Sequence, residues 1–167
     1  MFTCALSNQS GKSKLSLPVD FQTNHGIAFI NDSTDYEFEK LESFSIETKK
    51  LSEILDTTQF IDVIKIDVEG HELNVLKGAY NLLNTRKINN IIYEDHIAYP
   101  SEVFDYLKSF GYLIYRVEKK INRLNLIDPR AKSGLSSWDA ANYLATLDVN
   151  IFNKINNSKG YIYFKQL

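Results

Sequence analysis

Acidic and histidine side chains stand at the ends of two short apolar segments in the middle of the chain. Asp67 and Glu69 end the first segment, and Glu94 and His96 end the second. A carboxylate can accept the proton of a hydroxyl group, and a histidine can do so near neutral pH. These residue types therefore suit general-base chemistry, or the binding and orientation of a polar substrate.

The elements that must position these side chains are predicted from residues 60–96, FIDVIKIDVEGHELNVLKGAYNLLNTRKINNIIYEDH. Residues 61–68 are rich in β-branched side chains, which is typical of a strand buried in a parallel sheet. Gly70 allows a tight turn. One apolar helix face is then predicted from Leu73, Leu76, Tyr80 and Leu83. Residues 90–94 form the next strand. The pattern predicts a βαβ unit with parallel strands.

Parallel strands bring their carboxyl ends to one edge of the sheet, and ligands of open α/β sheets bind outside that edge. We therefore expect the four candidate side chains to share one rim. Three of these side chains could instead have structural roles or be solvated surface groups. Asp67 could be the N-cap of the helix, Glu69 could stabilise the helix dipole, and His96 could be a solvated loop histidine.

A metal site is a second possibility for the same region. Asp67, Glu69, His71, Glu94 and His96 offer oxygen and nitrogen ligands of suitable types. No compact ligand motif such as H-E-x-x-H is present, and acidic residues are common at strand ends. We therefore predict no metal.

Composition limits the class of protein. The chain has 167 residues, of which 44% are hydrophobic, so it is long enough and apolar enough for a folded core. The net charge of −2 and the lack of a basic block argue against nucleic acid as a partner. No apolar run reaches membrane-spanning length. The single cysteine and the absence of a signal-peptide pattern favour a cytoplasmic location.

The remaining segments extend the α/β pattern. Residues 2–7 read as a short strand, onto which residues 14–19 are predicted to fold back as a hairpin. Beyond the central unit we expect a helix over 100–110 and strands over 112–117 and 142–147. A long irregular connection, residues 118–140, separates these two strands. They lack an intervening helix, so we expect them to pair antiparallel.

The segment KIDVEGHELNVLKGA, residues 65–79, resembles the characteristic motif of the FkbM-type methyltransferases. The segments MFTCALSNQSGK, IETKKLSEIL, IIYED, FDYLKSFGY and ANYLAT extend the resemblance over nearly the whole chain. The family implies a Rossmann-like fold with a mostly parallel sheet that ends in an antiparallel pair. It also implies methyl transfer from S-adenosylmethionine to a hydroxyl of a small molecule or glycan. By this resemblance Asp67 faces the transferred methyl group and contacts the cofactor.

The sequence departs from the family at the cofactor-binding elements. The family begins with a strand, a Gly-rich turn and a helix, whereas no two of the seven glycines here are spaced as G-x-G. We therefore expect one partial methyltransferase domain over residues 1–167, truncated at its N-terminus. Its parts are a hairpin and lead-in (1–59), the central βαβ unit (60–96) and a C-terminal helix, strands and tail (97–167).

The missing strand would leave an apolar sheet edge at residues 61–68. A homodimer or another partner could cover this edge. Two functions follow as alternatives. The chain is either an enzyme, completed by sequence upstream or still able to bind the cofactor, or a non-catalytic methyltransferase remnant that pairs through the exposed edge.

Overall fold

The structure is a computed structural model, and it describes residues 3–17, 28–31, 42–56, 58–120, 123–131 and 140–158. The chain divides into two units. Unit 1 comprises residues 1–60 and 66–87, and unit 2 comprises residues 61–65 and 88–167.

Unit 1 contains a four-stranded sheet with the order β1-β4-β2-β3. Its strands are β1 (Ala5–Leu6), β2 (Gly11–Leu17), β3 (Phe29–Asn31) and β4 (Glu42–Lys49). The predicted hairpin between the first two strands is wrong, because β4 lies between them. β2 instead pairs antiparallel with β4 over seven residue pairs, a ladder that the two-residue β1 cannot offer.

Three short helices complete unit 1: α1 (Leu51–Ile54), α2 (Glu72–Gly78) and α3 (Tyr80–Asn84). The buried apolar side chains of α2, α3 and their junction are Val75, Leu76, Ala79, Leu82 and Leu83. The predicted apolar face is therefore wrong at Tyr80, which is 52% exposed. The buried set also follows the helical repeat, so the spacing alone did not distinguish the two faces.

Gly78 brings α2 against the backbone that follows β1. A Cβ atom at this position would collide with the carbonyl oxygen of Ser7 and lie 3.0 Å from its carbonyl carbon. The Ser7 amide donates to the carbonyl oxygen of Lys49 (3.0 Å), so this backbone is also held by β4. A glycine is required here because only a residue without a side chain permits the close approach.

Unit 2 contains a five-stranded sheet with the order β5-β6-β9-β7-β8. The strands of this sheet are β5 (Ile61–Ile66), β6 (Ile88–Asp95), β7 (Leu113–Lys120), β8 (Arg123–Ile127) and β9 (Ala141–Thr146). The last residue of β5, Ile66, belongs to unit 1. The helices of unit 2 are α4 (Glu102–Ser109) and α5 (Ile151–Asn156). Ser101 caps α4, accepting from the Phe104 amide at 3.2 Å.

Antiparallel pairs predominate in the described sheets. β9 is antiparallel to both β6 and β7, which confirms the predicted antiparallel pairing of β7 and β9. β8 also pairs antiparallel with β7. The chain is α/β with mixed sheets, and the prediction of a mostly parallel sheet is not confirmed.

The predicted irregular connection over residues 118–140 is wrong in its first part. β7 continues to Lys120, and β8 folds back on it as a hairpin. The alternating sequence RLNLI of β8 is typical of a strand with one buried face, and Leu126 is 2% exposed. The sequence also predicts a turn at residues 133–134 and a final edge strand at 161–164, and both segments lie outside the described residues.

Gly78→Ala should destabilise the fold of unit 1 by about 1–3 kcal/mol, although alanine is the better helix former. The added methyl group collides with the backbone of Ser7 rather than with a movable side chain. Urea unfolding measures the change. The neighbouring exposed Lys77→Ala is the control and should stay within about 0.5 kcal/mol of the parent. Equal stabilities of the two variants would contradict the close packing.

Candidate functional site

The turn between β5 and α2 is held by a buried carboxylate. Glu72, in the first turn of α2, is 4% exposed. Its Oε1 atom accepts hydrogen bonds from the amides of Val68 (3.2 Å) and Gly70 (3.3 Å). A carboxylate suits this position because the positive end of the helix dipole and the two amide donors all favour a negative charge.

The backbone of this turn adopts an unfavourable conformation. Glu69 has φ +50° and Gly70 has φ +90°, so two successive residues adopt left-handed conformations. Glycine accepts such a conformation readily, whereas a glutamate does so at a cost in free energy. The hydrogen bonds that Glu72 accepts offset that cost, because they satisfy the amides of Val68 and Gly70 on either side of Glu69.

The turn presents the first pair of candidate side chains. Asp67 directly follows the last residue of β5 and is exposed, and Glu69 is half-buried within the turn. The alternative role of Asp67 as the helix N-cap is wrong, because the N-cap position of α2 is occupied by His71. Asp67 is therefore an accessible acid at the end of a strand, which is the position predicted for a site residue.

His71 has a structural role that the sequence did not indicate. It is 5% exposed, with Nε2 lying 2.9 Å from Ser7 Oγ and Nδ1 lying 3.2 Å from the Asn74 side-chain nitrogen. The Asn74 nitrogen can only donate, so Nδ1 accepts and Nε2 carries the proton. This tautomer donates to Ser7 and does not activate it as a nucleophile. His71 thus ties the start of α2 to the end of β1.

The second pair of candidates lies in unit 2. Glu94 is half-buried in β6, and His96 is exposed in the bend that follows it. Between them Asp95 is buried, accepting from the Ile97 amide (3.0 Å) and from the Ser101 hydroxyl (2.5 Å). Asp95 therefore holds the loop between β6 and α4, and its position beside two candidate residues gave no hint of this role.

Two stacked tyrosines support the same loop. The rings of Tyr93 and Tyr143 lie 5.3 Å apart, and the Tyr143 hydroxyl accepts from the Tyr99 amide at 3.2 Å. Burial raises the pKa of both phenols above the usual value. The negative charge of Asp95 raises the pKa in each case as well. Both tyrosines are therefore protonated at neutral pH and act as neutral supports.

The predicted common rim of the four candidates stays a prediction, since Asp67 and Glu69 belong to unit 1 and Glu94 and His96 to unit 2. Within the described residues, no group of three or more histidine, cysteine, aspartate and glutamate side chains could hold a metal ion. We also find no helix in the described part of the chain that could span a membrane.

Comparison with known proteins identifies the family. The family model for the methyltransferase FkbM domain matches residues 1–114, a range that contains all four candidate residues. No significant match was found among curated proteins or among solved structures. The matched range is more than half of the 167 residues, which confirms the resemblance drawn from residues 65–79. The chain therefore belongs to the FkbM methyltransferase domain family.

Proposed function

We propose that the chain transfers a methyl group from S-adenosylmethionine to a hydroxyl group of a small molecule or glycan. Membership of the family points to methyl transfer in general, and the finer assignment is our own. The observation that carries it is the turn after β5. There the buried Glu72 holds the backbone in a fixed shape and leaves Asp67 exposed at the end of the strand.

Asp67 is the proposed general base or polar anchor. A carboxylate that accepts the proton of the acceptor hydroxyl increases the nucleophilicity of its oxygen as the new bond forms. Its position on a turn with two fixed amides limits the directions in which the side chain can point. Such fixed geometry matters because much of methyl transfer is the alignment of two reactants.

Glu69, Glu94 and His96 are proposed to bind and orient the acceptor. Glu69 lies in the turn that follows Asp67, and Glu94 and His96 stand on either side of Asp95, the last residue of β6. His96 is exposed, and an imidazole nitrogen is a common general base, which makes His96 the second candidate for the base. The acceptor hydroxyl would donate to one of these groups.

The cofactor is a proposal that depends mainly on Asp67. When bound, S-adenosylmethionine supplies an electrophilic methyl group on a positively charged sulfur. The exposed carboxylate of Asp67 suits a ligand with a sulfonium and an ammonium group, since opposite charges attract. The sequence has no G-x-G turn, so within this chain the fit to the cofactor rests on the acid at the end of β5.

The strand order of unit 2 also supports a Rossmann-like methyltransferase fold. β9, the last described strand, inserts between β6 and β7 and is antiparallel to both. Such an antiparallel terminal pair is what the resemblance predicts for the C-terminal half of this fold.

Binding of the product S-adenosylhomocysteine tests this proposal. Calorimetric titration should show saturable binding at one site. Asp67→Asn should weaken it by about tenfold or more, because the substitution removes the negative charge proposed to attract the ammonium group of the ligand. Asp56→Asn is a matched control, since Asp56 is also exposed and its Oδ1 accepts from the Thr58 amide, which an asparagine can preserve. This control should bind like the parent.

Two results would count against the proposal. The first is no saturable binding by a chain that circular dichroism shows to be folded. The second is equal binding by the parent and Asp67→Asn, which would remove Asp67 from the cofactor site.

The position of β5 favours a second function, a module that pairs through a sheet edge. β5 ends the described five-stranded sheet, with β6 as its one neighbour in the strand order. Val63 on this strand is 55% exposed, and Phe60 just before it is 69% exposed. An apolar edge strand is a template for pairing with another chain. The proposed occupant is a second copy of this chain.

Sedimentation measured at increasing protein concentration tests this pairing. The parent should form dimers, and Val63→Glu should weaken the dimer by about tenfold or more because the charge would be buried on pairing. Val149→Glu is the control, because Val149 is 73% exposed in the same unit but lies outside β5. Monomers at every concentration would rule out this function for the isolated chain.

A further inference from the structure

Unit 2 contains a cavity that the proposed methyl-transfer residues do not use. Its volume is about 520 Å³, which lies within the range of small-molecule sites. The lining residues come from the loop before α4, from α4, β7 and α5, and from the turn after β8. Both α5 and the turn after β8 lie beyond residue 114, where the match to the family ends.

Two pairs of aromatic side chains line this cavity. The rings of Tyr99 and Phe104 meet edge to face, with their centroids 4.7 Å apart. The rings of Tyr115 and Phe152 have their centroids 5.3 Å apart and are tilted by 40°. Aromatic walls suit a flat ring, which can stack on them or meet their edges.

The remaining lining brings positive charge. Lys108 and Arg130 both line the cavity and are exposed to solvent. Asp128 pairs with Arg130 through two contacts, Nε to Oδ1 at 2.9 Å and Nη2 to Oδ2 at 2.6 Å. Of the five N–H donors of the guanidinium, this pair engages two. With Asp128 ionised, the three charges sum to one net positive charge.

The turn that carries Arg130 is held by hydrogen bonds from Arg116 and from within the turn itself. Arg116 is 4% exposed, and its Nη1 donates to the carbonyl oxygen of Ala131 at 2.7 Å. The Asp128 side chain accepts from the Arg130 amide (2.8 Å), and the Ala131 amide donates to the Asp128 carbonyl oxygen (3.0 Å). These bonds hold the turn, so Arg130 is positioned before any ligand arrives. A preorganised cation loses less entropy on binding than a mobile one.

We propose that this cavity binds a flat aromatic ring that carries one anionic group, such as a phosphate. The ring packs against the two aromatic pairs, and the anionic group accepts from Lys108 and from the donors of Arg130 that Asp128 does not engage. Charge decides the class, since a neutral ring would leave the net positive charge of the lining uncompensated and an inorganic anion would not contact the aromatic rings. The site is independent of methyl transfer, because none of its lining residues is among the proposed catalytic ones.

Calorimetric titration with 1-naphthyl phosphate in the absence of cofactor tests the site. The parent chain should bind it at one site, at least about tenfold more tightly than 1-naphthol or inorganic phosphate. The reason is that 1-naphthol lacks the anionic group and inorganic phosphate lacks the aromatic ring. Arg130→Gln and Lys108→Gln should each weaken binding by about tenfold. Arg123→Gln is the matched control, since Arg123 is exposed on β8 and does not line the cavity.

A separate variant tests the aromatic lining of the cavity. Phe152→Leu keeps an apolar side chain but removes an aromatic wall, and it should weaken naphthyl phosphate without changing the response to inorganic phosphate. Three results would overturn the proposal in a chain that remains folded by circular dichroism. They are no binding of naphthyl phosphate, equal binding of 1-naphthol, or equal losses in the Arg130 and Arg123 variants. The readout is binding alone, so a failure of the methyl-transfer proposal would not affect it.

Discussion

The buried carboxylate of Glu72 is the interaction on which the candidate site depends. It accepts from the amides of Val68 and Gly70, on either side of the left-handed Glu69. Without it, two amides of the turn would lose their acceptor at the start of a helix, where backbone donors are already in excess. The exposed Asp67 directly precedes Val68, so the backbone that follows Asp67 is held by this pair of hydrogen bonds.

In unit 2 a buried acid likewise holds the loop after β6. Asp95 is buried and holds the loop through the Ile97 amide and the Ser101 hydroxyl, while its neighbours Glu94 and His96 stay accessible. Near each strand end one acid is buried and supports the backbone, whereas Asp67 and His96 are exposed and Glu69 and Glu94 are half-buried. This difference separates the buried structural carboxylates from the candidate site residues, because a buried acid committed to hydrogen bonds within the chain cannot also serve a substrate.

The sequence predicted the elements of the central region but not this division of roles. Strand, turn and helix follow from the β-branched run, Gly70 and the apolar repeat, and the motif at residues 65–79 identified the family. Periodicity did not show which of several adjacent acids is buried, because Glu72 and Asp95 are held by hydrogen bonds to particular atoms of the neighbouring turn or loop, which the apolar repeat does not encode. The insertion of β9 between β6 and β7 depends instead on pairing between residues distant in sequence.

Amide hydrogen exchange in Glu72→Ala tests most directly whether this carboxylate holds the turn. The amides of Val68 and Gly70 should exchange at least roughly tenfold faster than in the parent, because a hydrogen bond to a charged group contributes about 1.5 kcal/mol or more. The amide of Ala79, which donates within the helical segment to Val75, should keep its rate. Unchanged exchange at Val68 and Gly70 would show that the turn is held by other contacts and that Glu72 does not position Asp67.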